Sequence, residues 1–159
     1  MTDIESPITQ LDMDKAWDLL ASQRLGRVAV QSDLGVDIFP VNYAVDGESL
    51  VFRTAQGTKL SGLKSYSQVT FEIDSWDEQT GYSVVAKGHA TTLTDPAEIT
   101  QAQALNLRPW VPTVKTFFVR IQVTSISARK FAFGLEPPQP GHGISACSKA
   151  QPHCVRGAG

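Results

Sequence analysis

The sequence predicts an α+β protein built on a small antiparallel barrel, and three observations carry that prediction. About six segments alternate apolar and polar residues with the period of half-buried strands. An Asp46-Gly47-Glu48 turn joins two of them as a tight hairpin. Three short helical patterns interrupt the strands, without the regular strand-helix alternation of a parallel sheet.

The first element is a helix, because Met13, Ala16, Trp17 and Leu20 recur at helical spacing behind a capping Thr9 or Asp12. From Leu25 the period becomes two. Val28 and Val30 alternate in one strand, and Phe39, Val41, Tyr43 and Val45 in the next, with Ser32 to Gly35 between them. After the Asp-Gly turn, Leu50 to Thr54 returns as a third strand. Thr58 to Ser65 reads as one or two helical turns, and Gln68 to Asp74 as a strand with Val69, Phe71 and Ile73 on one face. "GYSVVAKGHATTL" is a long strand in which Gly81 and Gly88 permit a bend or bulge. "DPAE" at Asp95 to Glu98 starts a helix ending near Asn106: a capping aspartate, proline at the first helical position and glutamate in the first turn. "TFFVRIQVTSISARKF" closes the regular structure.

A chain of 159 residues with 42% hydrophobic content supports one domain. The expected organisation is an N-terminal segment over 1–10, a barrel domain over 11–135 and a flexible Pro/Gly-rich tail over 136–159. The net charge of −2 offers no global field for nucleic acid or anionic lipid. The acidic start "MTDIESPITQ" and the lack of a long apolar run argue for a cytoplasmic protein without a membrane span. In the tail, His142, Cys147, His153 and Cys154 fit no standard metal-ligand spacing, so no metal site and no disulfide framework are expected.

The stretch "VFRTAQGTKL" carries the chemistry. It joins a strand to a helix start, with Arg53, Thr54, Thr58 and Lys59 at the corner. A helix start offers unpaired N–H groups and a positive dipole end, to which Lys59 adds charge and Thr58 a hydroxyl; these are the parts of an anion cradle. Alternation puts Arg53 and Thr54 on opposite faces of their strand. "PVNY", Pro40 to Tyr43, supplies the apolar and amide mixture a flat heteroaromatic ring needs, and its proline favours a strand edge open to a ligand.

"GRVAV", "FPVNYAVDG", "VFRTAQGTKL", "VTFEID", "TGYSVVAKGHA" and "RPWVPTVKTFFVRIQVTSISARK" occur in the order and spacing of the pyridoxamine 5'-phosphate oxidase-like family of FMN-binding split β-barrels. The similarity runs from about Trp17 to Lys130 and is densest with small actinobacterial members. The resemblance implies a six-stranded antiparallel split barrel forming a homodimer, with FMN between the subunits. It implies that Thr54, Thr58 and Lys59, with Arg53, hold the FMN phosphate, and that Pro40, Val41, Asn42 and Tyr43 line the isoalloxazine ring. The partner is then a second copy of the chain, and the substrate a small organic molecule. Two motifs of the pyridoxamine 5'-phosphate oxidases themselves are absent: an Arg and Lys five apart on the strand that here reads Asp37 to Asn42, and an Arg-x-His near the C-terminus. The resemblance therefore does not extend to vitamin B6 oxidation.

A flavin-dependent oxidoreductase needs no protein acid, base or nucleophile, because the cofactor performs the redox step, so no catalytic side chain is assigned. Related branches bind a deazaflavin or haem in the same cleft, which leaves a non-enzymatic binding or sensing protein, or a cofactor-free dimer, as alternatives. Trp110 and Arg120 are further candidates for lining the cleft from a partner subunit. Lys87 and His89 share a strand face and are expected to face water; Glu72 and Asp74 also share a strand face and are assigned no role.

Overall fold

The computed structural model describes residues 6–108, 112 and 114–136. Trp110 and the tail residues His142, Cys147, His153 and Cys154 lie outside the described residues. The elements are β1 (Ile8–Leu11), α1 (Met13–Ser22), β2 (Leu25–Ser32), β3 (Gly35–Asp46), β4 (Ser49–Thr54), α2 (Thr58–Ser65), β5 (Gln68–Trp76), β6 (Thr80–Thr92), α3 (Pro96–Ala104) and β7 (Phe117–Ala132). The strands form one sheet in the order β1-β7-β4-β3-β2-β5-β6, and an added β7–β6 pairing closes it into a barrel. Every pairing is antiparallel.

The six expected strands are β2 to β7. β1 is additional: it has 4 residues, mostly exposed, too short a run to show a period. It forms because the second half of β7 has a free edge, where Ile8 pairs with Phe131 and Leu11 with Ala128. On that same edge the first half of β7 pairs with β4, from Phe117 to Gln122.

The barrel interior is filled by the alternating residues the sequence marks out. Val28, Val30, Val41, Tyr43, Leu50, Phe52, Phe71, Ile73, Val84, Val119 and Ile121 are all buried there. α1 places Ala16 and Leu20 against this core, one turn apart, after Asp12 accepts a hydrogen bond from the Lys15 N–H at 2.8 Å. A second, smaller cluster lies on the outside of the sheet, where Ala102 of α3 and Leu93 cover Val51 and Phe118. Asp95 caps α3 through the Ala97 N–H at 2.8 Å.

Two irregularities shape the barrel. The β6–β7 ladder shifts register between Lys87 and Gly88, and a Cβ on Gly88 would stand 2.1 Å from the Gln122 carbonyl oxygen, so glycine lets the strands approach. The other is a split. Only Tyr43 to Asp46 of β3 pair with β4, whereas Gly35 to Asn42 pair with β2. β3 therefore runs past its neighbour, and α2 starts beside the opening.

Candidate functional site

Alternation sorts the "PVNY" residues at once. Val41 and Tyr43 point into the core, and the Tyr43 hydroxyl donates to the Leu20 carbonyl at 2.6 Å while its ring meets Phe71 edge-on. Burial drives the Tyr43 hydroxyl pKa upward, so it stays protonated as a structural donor. Pro40 and Asn42 face outward. A ring lying along this strand would touch the side chains of Pro40 and Asn42, and only the backbone of Val41 and Tyr43.

The residues of "VFRTAQGTKL" divide in the same way. Thr54 is 4% exposed on the core face, and its hydroxyl donates to the Ala55 carbonyl at 3.3 Å. Arg53 emerges on the opposite face. Its Nε and Nη2 donate to the Lys115 carbonyl at 3.2 and 2.7 Å, and its guanidinium lies 5.1 Å from the centre of the Phe118 ring. Lys59, half-buried, reaches over the Phe39 ring at 5.0 Å. Burial lowers its pKa, and the charge of Lys115 lowers it further. Lys115 thus links Arg53 and Lys59, since Arg53 holds its carbonyl and its charge acts on Lys59, and none of the ion pairs among the described residues uses any of the three.

α2 begins at this point with Gly57 as its N-cap and no side chain bonded to its first N–H groups. The first backbone acceptor inside the helix serves Ser61, through the Gly57 carbonyl at 3.0 Å, which leaves the N–H groups of Thr58, Lys59 and Leu60 at the open end. A Cβ on Gly57 would meet no atom within 4 Å, so the approach to that end is clear. Thr58 is exposed and lines a cavity of about 260 Å³ that also includes Asp33 and Asp37.

Sequence reasoning missed Lys115, because only the pairing of β4 with β7 brings that residue beside Arg53. It also missed Leu107, which together with Asn42, Arg53 and Lys115 lines a small gap of about 10 Å³. Arg120 binds Asp46 at 2.7 Å and Ser49 at 2.6 Å, fastening the β3–β4 turn to β7. Lys87 and His89 are exposed and border a separate cavity of about 430 Å³ with Thr70 and Gln68. Glu72 and Asp74 both accept from Arg27, at 2.9 and 2.6 Å.

Three comparisons bear on this arrangement. The family model described as Pyridoxamine 5'-phosphate oxidase matches residues 12–130. A solved Corynebacterium glutamicum protein, provisionally described as a pyridoxamine 5'-phosphate oxidase, is 37% identical, with a TM-score of 0.76 over 84% of this chain and 99% of that one. The FAD binding protein of Mycobacterium smegmatis is 39% identical, with a TM-score of 0.68 over 79% of this chain and 99% of that one. An uncharacterized Mycobacterium tuberculosis protein is 35% identical over 122 residues, 72% of this chain and 80% of that protein.

Proposed function

This chain belongs to the pyridoxamine 5'-phosphate oxidase family, and we propose on that basis that it binds a flavin nucleotide, FMN, and acts as an oxidoreductase on a small organic substrate. The observation that carries the reading is the uncapped start of α2 with Lys59 on it, over the Phe39 ring next to the outward-facing Pro40, and within electrostatic reach of the Lys115 that Arg53 holds. A phosphate there meets the backbone N–H groups of Thr58, Lys59 and Leu60 together with the ammonium of Lys59. Arg53 braces the Lys115 loop, and Thr54 supports the corner from the core side.

The flavin supplies the electron transfer when bound. The chain's own part is to hold the phosphate and to lay the ring along Pro40 and Asn42. Flavin binding by the Mycobacterium smegmatis relative supports the cofactor class. A second copy of the chain is the proposed partner, because Val36 and Ile38, 62% and 65% exposed, present an apolar face on the part of β3 that pairs with β2.

The visible absorption spectrum of the purified chain, with identification of anything released on denaturation, tests this reading. Bound flavin near one per chain is the expected result. A colourless protein that takes up neither FMN nor FAD would overturn it, and a released deazaflavin or haem would reassign the cofactor.

A further inference from the structure

We propose that the cavity between the outer face of β3 and the segment Leu105 to Arg108 is a second anion site, in which Arg24 and Arg108 grip the carboxylate or phosphate of a ligand. The cavity measures about 270 Å³ and is lined by Arg24, Asn42, Tyr43, Ala44 and residues 105 to 108. That volume suits a small anion or one end of a larger molecule.

The backbone builds the site from two directions. Arg24 follows α1, and its carbonyl accepts from the Tyr43 N–H at 3.0 Å, which fixes that arginine beside β3. On the other side α3 ends at Leu105, and Asn106 takes a left-handed φ of 54° that asparagine tolerates. That turn sends Leu107 and Arg108 back over the sheet.

Charge makes the case specific. The chain has more acidic than basic residues, 16 against 14. Yet among the described residues no carboxylate lines this cavity, nor the two adjoining spaces that share Leu107 with it. The ion pairs among the described residues belong to Arg27 and Arg120, so Arg24 and Arg108 are both uncommitted to an acid. Two arginines that line a pocket together with leucine and asparagine residues offer cations to an anionic group on a partly apolar body. The cavity does not include the start of α2, but it shares Asn42 with the surface proposed for the flavin ring, so it adjoins that site.

The test follows the arginine Nε–H resonances of the full-length chain while inorganic pyrophosphate is added, with Arg24→Gln and Arg108→Gln supplying the assignments. Both resonances are expected to shift, and to shift equally in Lys59→Ala, where the flavin phosphate site is disabled. No movement at saturating pyrophosphate, or movement abolished by Lys59→Ala, would overturn the proposal. FMN and FAD affinities of the Arg24→Gln/Arg108→Gln protein then identify the source of the anion. FAD weakened about tenfold with FMN unchanged assigns the site to the second phosphate of a dinucleotide flavin; both unchanged, with pyrophosphate binding lost, assigns it to a separate small-molecule anion. Equal weakening of FMN and FAD would contradict a second site.

Discussion

Lys59 holds its ammonium 5.0 Å from the centre of the Phe39 ring, at the place where β3 runs on beyond its pairing with β4. The ring compensates part of the lost hydration, but Lys115 opposes the charge. Burial and Lys115 therefore place an electrostatic cost on the charged lysine that a phosphate bound there would relieve. Lys59→Met is expected to stabilise the ligand-free chain by roughly 0.5 kcal/mol or more, measured by urea denaturation. A loss of stability would show that Lys59 is a structural cation.

The same lowered pKa sets a pH dependence. In the window between the depressed folded value and the ordinary lysine value near 10.4, the unfolded chain holds more protons, so ligand-free stability rises with pH. Phosphate affinity runs the opposite way, because it needs the protonated ammonium. FMN binding measured from about pH 7 to about pH 10 should weaken before an ordinary lysine would titrate, and the Lys59→Met profile should lack that step.

Tyr43→Phe separates the core from the ring-binding surface. Removing the hydroxyl loses the bond to the Leu20 carbonyl and should cost about 1 kcal/mol of stability. Flavin affinity should not change. A fall in affinity at unchanged stability would put the Tyr43 side chain at the ligand.

Gly88→Ala tests the barrel closure. A Cβ 2.1 Å from the Gln122 carbonyl oxygen cannot be accommodated by a side-chain shift, so the β6–β7 ladder must move. The expected loss is about 3 kcal/mol or more in denaturant unfolding. A near-wild-type midpoint would mean the bulge can relax.

Ile38→Asp addresses the proposed dimer. The residue is 65% exposed, so the substitution leaves the barrel core intact. Sedimentation should shift from dimer to monomer, with the thermal transition of the barrel retained. An unchanged sedimentation coefficient would move the interface elsewhere.

The strands and helices were legible because alternation and capping act locally. Val28 to Val30, Phe39 to Val45 and Phe117 to Val123 carry their own period, and Asp12 and Asp95 announce their helices. β1 was not legible, since its only reason to exist is the free edge of β7. The anion corner was legible in composition but not in orientation: Thr54 turns into the core, and Thr58 lines a cavity with Asp33 and Asp37. Lys115 and Arg108 were invisible because they reach the site through sheet pairing and a left-handed Asn106, neither of which has a local signature in the residues that use it.

The most direct test of the central claim compares FMN with riboflavin, which lacks the phosphate, by fluorescence titration of the wild-type chain and of Lys59→Met. The wild type should prefer FMN by about tenfold or more, and the preference should collapse in Lys59→Met while riboflavin affinity is kept. Equal affinity of the wild type for the two flavins, or an FMN preference that survives Lys59→Met, would contradict a phosphate held at the start of α2.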